Sequence, residues 1–261
     1  MAKGKWKAFR YKSKTYEYPG AALKKNWQRL HIGDQEPFPG GETVQEAWRA
    51  YHAGDFERAV ELGLNAGVDG HNVANKATSI YANYVESSEA LKLKLYQEVI
   101  ERAEKASAAN PKNANAHYQR AYAMGRYSQG ISIAKALAQG LGGKVKGSLA
   151  TTLKLEPNHA EAHIASGTYH AEIINKVGAM VGGLTYGAKK ETGIEHYKKA
   201  LKLHPDSAIA KIEYANGLLM IFGDKKTPEA TELYVAASEC EPVDAMERLD
   251  VELAKSQLED E

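Results

Sequence analysis

Histidines and carboxylates crowd one short stretch of the chain, as His159, Glu161, His163, His170 and Glu172. His159 and His163 are four apart and would share one face of a helix, with His170 seven further on and nearly in line. That geometry permits a metal site. The competing reading is structural, because His159 follows Pro157 where a helix cap is needed. Glycine runs invite a phosphate-loop reading, which requires G-x-x-x-x-G-K and then Ser or Thr. Gly143-Lys144 is followed by Val145 and the first glycine is replaced by Ala138, while Gly187 is followed by Ala188. Neither run follows a predicted strand, and glycine there is read as the residue that tolerates positive φ in a tight elbow. Cys240 lies between Glu239 and Glu241, whose charge disfavours a thiolate. No serine–histidine–acid or cysteine–histidine arrangement stands out. No catalytic residue, metal or cofactor is assigned, and a protein that is not an enzyme is expected.

The 261 residues are 43% hydrophobic and 26% charged, an ordinary globular composition, and the net charge of +1 selects no class of partner. The charge is unevenly placed. Lys3, Lys5, Lys7, Arg10, Lys12, Lys14, Lys24, Lys25 and Arg29 face only Glu17 in the first thirty residues, whereas the stretch from Glu241 to Glu261 is strongly acidic. Trp6, Phe9, Tyr11, Tyr16, Tyr18 and Trp27 are interleaved with those early basic residues. Lysines with aromatics could follow nucleic-acid phosphates or an anionic membrane. A charge run alone is a weak signal, so nucleic acid is not the expected partner. The alternative is an arm lying on acidic surface of its own chain, such as the C-terminal helix. The single cysteine excludes an internal disulfide and suits a reducing compartment. No apolar segment follows the basic N-terminus as a secretory signal would require. The longest apolar run, Leu218 to Phe222, is too short for a transmembrane segment. A cytoplasmic protein is expected.

The elements that must carry these residues announce themselves by a repeated phrase. It reads N-P-K-N-A from Asn110, E-P-N-H-A from Glu156, H-P-D-S-A from His204 and E-P-V-D-A from Glu241. Each time a helix-patterned run ends before the proline, which cannot continue a helix, and a small polar residue then offers a cap to the next. The prolines are 46, 48 and 37 residues apart. Ahead of them stand Val99, Ala103 and Ala106, then Tyr197 and Ala200, then Ala230, Tyr234 and Ala237. Trp48, Tyr51, Gly54, Asp55, Phe56 and Ala59 form a helix–turn–helix junction nearer the N-terminus. Small residues let helices approach and the aromatic fills the gap between them. In this register the chain resembles the tetratricopeptide repeats, helix pairs with a period of about 34 residues. The resemblance runs from about residue 41 to the end and implies an all-α solenoid of antiparallel helix pairs. It also gives His163 and His117 equivalent packing places in the first helix of their units.

Two units are overlong. After Tyr122 the chain inserts G-I-S-I-A-K-A-L-A-Q-G-L-G-G-K before a second helix resumes near Val145. After Tyr169 it inserts A-E-I-I-N-K-V-G-A-M-V-G-G-L-T-Y-G-A-K-K before Ile194. Both insertions separate the two helices of a unit, so two glycine-rich elbows are expected on one edge. G-A-M-V-G-G-L-T-Y-G-A before E-H-Y-K-K-A-L-K-L, with the earlier Y-Q-E-V-I-E-R-A-E-K-A and G-I-S-I-A-K, is similar to the regulator-of-microtubule-dynamics family and its bacterial relatives. Animal members of that family are membrane-tethered and associate with microtubules or bridge organelles, and the resemblance implies an interaction role. W-Q-R-L-H-I-G-D from Trp27 echoes W-R-A-Y-H-A-G-D from Trp48, but runs into Pro37 and Pro39. Residues 1–40 are therefore read as a basic aromatic extension with a decayed half-repeat that caps the array. Residues 41–258 are read as the solenoid, about five repeats, closed by an amphipathic helix containing Met246, Leu249 and Leu253.

In tetratricopeptide arrays the first helix of each unit lines the concave face. By register the lining residues are Tyr118, Tyr122 and Arg126, then Ile164 and Thr168, then Ile212, Asn216 and Leu219. Members that grip a peptide carboxylate use lysine where Tyr118, Ile164 and Ile212 stand here, so such a clamp is not expected. An apolar, aromatic groove with Arg126 and Asn216 as polar handles suits an amphipathic helix or extended peptide. The leading expectation is a scaffold that binds a protein or peptide partner. The alternative is a lipid or small-ligand carrier whose pocket is closed by the elbows at residues 140–143 and 182–187. Several of the lining residues could instead close the groove against those elbows.

Overall fold

The computed structural model describes residues 6–259, so that Lys3, Lys5, Asp260 and Glu261 of the charge pattern lie outside the described residues. Among these there are helices and no strand. In chain order the α-helices are α1 (Ala22–Leu30), α2 (Glu42–His52), α3 (Phe56–Asn65), α4 (His71–Ile80), α5 (Glu89–Ala109), α6 (Ala114–Gln129) and α7 (Ile133–Ala138). They continue with α8 (Leu141–Leu155), α9 (Ala160–Val177), α10 (Ala179–Val181), α11 (Lys190–Leu203), α12 (Ala208–Phe222), α13 (Thr227–Ser238) and α14 (Ala245–Glu259). Long helices pack consecutively, α2 on α3, α4 on α5, α6 on α8, α9 on α11 and α12 on α13. Each pair also packs on the next, which is the stacking of a tetratricopeptide-type solenoid.

The repeated proline phrase does what its chemistry demands. Helices α5, α8 and α11 end at Ala109, Leu155 and Leu203, with Asn110, Glu156 and His204 as C-caps immediately before the prolines. The fourth residue of each phrase then caps the following helix. Asn113 accepts from the Ala116 N–H at 3.0 Å, His159 Nδ1 from Ala162 at 3.1 Å, Ser207 Oγ from Ala210 at 3.2 Å and Asp244 from Glu247 at 2.8 Å. Behind the caps the small packing residues Val99, Ala103, Ala106, Ala200, Ala230 and Ala237 are almost fully buried. Tyr197 of α11 fills the space between α9 and α12. A Cβ on Gly167 would fall 2.7 Å from its ring and one on Gly217 2.5 Å from it, so both helices must carry glycine there.

The elbows lie between α6 and α8 and between α9 and α11, but less of them is loop than the glycine count suggests. Helix α8 starts at Leu141, not near Val145, and α11 at Lys190, not Ile194. Gly142 is therefore inside a helix. Its reason is close approach, since a Cβ there would stand 3.3 Å from the Tyr186 ring. Within the elbows, positive φ is confined to Gly140 (62°), Gly178 (81°) and Gly187 (64°), which mark the corners. The π-helical turn Gly182–Tyr186 touches α8, where Lys146 Nζ donates to the Tyr186 carbonyl at 2.8 Å.

The two ends of the chain meet. Phe9 and Tyr16 of the arm are buried, and Trp6 stacks on Tyr81 at 3.9 Å. Helix α14 packs on α12 and α13 and also reaches α2. Tyr18 donates to the Val243 carbonyl at 2.7 Å, Arg29 grips both oxygens of Glu247 at 2.6 and 3.0 Å, and buried His52 holds Asp244 at 2.8 Å. The closing helix therefore does more than cover the last repeat. It bridges the last pair to the first.

Candidate functional site

Closure leaves a half-enclosed cavity of ≈ 170 Å³ on the inner face. Its wall is built from first helices. Helix α4 supplies Lys76 and Ile80, α6 supplies Tyr118, Tyr122, Gly125 and Arg126, α9 supplies Ile164, Ala165, Thr168 and Tyr169, and α12 supplies Ile209 and Glu213. The first turns of α8 add Gly142 and Val145, and α14 adds Met246 and Asp250. These side chains share one surface because the first helix of every pair turns the same face inward.

Charged groups in the wall are already paired, while the buried Ser79 Oγ has no hydrogen-bond partner among the described residues. At the floor, Lys76 Nζ donates to Asp34 and to Glu161 Oε1 at 2.8 Å, none of the three side chains being more than 14% exposed. Burial alone would lower the Lys76 pKa, but the charges of Asp34 and Glu161 outweigh it and keep the ammonium charged. Burial likewise works against Asp34, yet Lys76 and His31 hold its pKa well below the usual carboxylate range. Along the side wall Arg126 pairs with Glu213 Oε1 at 3.0 Å and lies over the Tyr122 ring at 5.3 Å, while Thr168 donates to Glu213 Oε2 at 2.9 Å. Tyr84 donates to Asp250, whose pKa is raised by burial and then by neighbouring carboxylates. Burial also raises the pKa of Tyr84, Tyr118 and Tyr122, so these phenols remain neutral donors.

The family model for regulator of microtubule dynamics protein 1-3 matches residues 45–259. The chain belongs to this family. A thermophilic TPR protein from Thermus thermophilus, known from its crystal structure, is similar with a TM-score of 0.57 at 18% identity, over 82% of this chain and 97% of that one. That likeness shows the fold alone. No curated protein matches the chain significantly.

In this regulator-of-microtubule-dynamics domain, five of the residues placed on the concave face by register, Tyr118, Tyr122, Arg126, Ile164 and Thr168, come together on the cavity. The other three do not. Ile212 is 1% exposed and packs with Leu219 among the α12, α13 and α14 side chains, and Asn216 accepts from the Tyr234 hydroxyl at 2.6 Å. Lys76, Glu161, Tyr84 and Asp250 also belong to the site, and the repeat register does not point to them. A lysine inside the V-A-N-K-A-T-S-I run of α4 is nonetheless a readable signal of a buried charge. The histidine cluster resolves into separate duties. His159 caps α9 and bonds Asn115 at 2.9 Å, His163 meets His196 at 2.9 Å, and His170 accepts from the Lys189 N–H at 3.1 Å. Among the described residues no group of three or more His, Cys, Asp or Glu is placed to hold a metal. None of their helices is long and apolar enough to cross a membrane.

Proposed function

We propose that the chain is a non-enzymatic interaction scaffold that takes an apolar side chain of a partner peptide or helix into the inner cavity. The observation that carries this reading is the cavity itself: aliphatic and aromatic walls, internally paired charges and one open side. Its ≈ 170 Å³ compares with the ~150 Å³ of an engineered cavity that binds benzene, which matches one large apolar side chain. A groove for a long peptide fits less well, because α14 reaches α2 and sets Met246 and Asp250 in the cavity wall. The family's description, regulation of microtubule dynamics, accords with action through binding.

Gly125 offers a clean test, since it lies in α6 on the cavity and a Cβ there meets nothing within 4 Å. Gly125→Leu fills the space, and replacing a helical glycine should gain roughly 0.5–1 kcal/mol of helix propensity, so folding is protected. Peptides selected from a random display library on the wild-type protein should carry a recurrent large apolar residue and bind Gly125→Leu at least about tenfold more weakly. Equal binding to both would remove the cavity from consideration.

A second reading, a small-ligand or lipid carrier, draws on Gly142 and Val145 of α8, which wall the cavity beside the first elbow. Native mass spectrometry of the purified protein separates the two. A small molecule present on the wild type and missing from Gly125→Leu favours the carrier, and a bare mass favours the scaffold.

A further inference from the structure

The four most exposed large apolar side chains among the described residues all lie on the elbows: Leu184 (85%), Met180 (77%), Ile133 and Leu137 (53% each). A single exposed leucine needs no explanation, whereas a group of them on adjoining segments marks an interaction site. Their spacing groups them further. Ile133 and Leu137 are one turn apart on α7, and Met180 and Leu184 are four apart across α10 and the π turn. The elbows adjoin each other through Lys146, Tyr186 and Gly142. The glycines at 140, 178 and 187, all at positive φ, hold these short helices at the edge of the solenoid, away from the packing of the long helices.

The charge within these segments has one sign, with the exposed Glu191 of α11 following immediately after the second. Residues 130–146 and 176–190 contain six lysines and no aspartate or glutamate, in a chain whose totals are nearly balanced at 34 and 33. Lys135, Lys144 and Lys189 are exposed and pair with no carboxylate among the described residues, and Lys146 bonds a backbone carbonyl. Lys176 is satisfied by Glu172 just outside the segment. A protein partner's apolar patch would bring no need for unpaired lysines around it. A surface offering anionic headgroups beside hydrocarbon matches both features at once.

We propose that the two elbows form a docking face for an anionic phospholipid surface, with Met180 and Leu184 entering the headgroup–acyl boundary and Lys135, Lys144 and Lys189 meeting lipid phosphates. The face is outside the inner cavity and does not depend on what the cavity holds. The test is flotation of the full chain with phosphatidylcholine vesicles containing about 30% phosphatidylserine, beside vesicles of phosphatidylcholine alone. Wild type should float with the anionic vesicles only and should be released as salt rises from about 0.1 M to 0.5 M. Met180→Ser/Leu184→Ser alters only exposed side chains and should keep the circular-dichroism melt. It should lower the partition coefficient about tenfold, as should Lys135→Glu/Lys144→Glu, because such binding sums apolar and electrostatic parts. Equal flotation of wild type and both variants would overturn the proposal. So would concentration-dependent self-association without flotation that Met180→Ser/Leu184→Ser abolishes, since the face would then be an interface between copies of this chain.

Discussion

Glu36 shows how one half-buried carboxyl couples the N-terminal extension to the repeats and to pH. It accepts from Asn72 at 2.9 Å and Asn115 at 2.6 Å, joining the segment after α1 to α4 and α6. Burial first, then the charge of Asp34, raises its pKa to about 8 from an ordinary 4.5, against the opposing effect of the two amide donors. Its folded pKa lies above its unfolded one, so its contribution is complete below the unfolded value and is lost as pH rises through about 8. Buried His31, His159 and His204 act in the opposite sense, with pKa values pushed down to about 4, 3 and 4, and their effect is finished above their ordinary 6.5. The window from about pH 6.5 to 8.5 therefore isolates the raised carboxyls. Urea midpoints of the wild type should fall across that window, and those of Glu36→Gln should fall less steeply. Parallel lines for the two proteins would show that Glu36 is already ionised in the native state.

At the scale of the helix, the contact of α11 with α9 and α12 is the point where sequence and structure agree most closely. Tyr197 is 1% exposed, stacks on Tyr214 at 5.4 Å and donates to Thr168 at 3.1 Å. Since a Cβ at Gly217 would fall 2.5 Å from its ring, Gly217→Ala cannot be absorbed without parting the helices. It should cost about 1–3 kcal/mol in chemical unfolding, the range for overpacking, although alanine is the better helix former. Tyr197→Leu in the same chain should recover part of the loss, and simple addition of the two effects would contradict the clamp. Features of this kind are legible in the sequence because they are local: the proline stops, the caps at Asn113, His159, Ser207 and Asp244, and the alanine and tyrosine register all act within a few residues. The elbow glycines are legible only as breaks. That Gly142 serves the approach of Tyr186 depends on a neighbour 44 residues away. Register puts Ile212 and Leu219 on an open groove for a similar reason, since it takes no account of what α13 and α14 cover.

Across the whole molecule, the contacts made by α14 change how the array should unfold. In an open solenoid each repeat touches only its neighbours, so the ends can fray independently. Here Tyr18, Arg29, Tyr51, His52 and Tyr84 are tied to residues 243–250 across sequence separations of 166 to 225 residues. The opposite charge of the two ends points toward such a meeting, as in the reading that lays the basic arm on the C-terminal helix, but it does not say which residues meet. That follows from the accumulated turn of the superhelix, which is set by every packing contact between. The His52–Asp244 pair is the most buried of these ties, with side chains 1% and 3% exposed, and Asp244 is also the cap of α14. Asp244→Ala should therefore remove a cap, worth about 1 kcal/mol, and leave His52 without its buried partner. Trp6, Trp27 and Trp48 all lie in or beside the first helix pair, so their fluorescence follows that end, while far-ultraviolet circular dichroism follows every helix. In wild type the two signals should trace one urea transition, as expected when the ends are joined. With Asp244→Ala, or with the chain cut after Glu241 to remove α14, fluorescence should change at lower urea than circular dichroism as the first pair comes free. Coincident curves in the truncated chain would mean that the repeats alone hold the first pair and that closure by α14 adds no cooperativity.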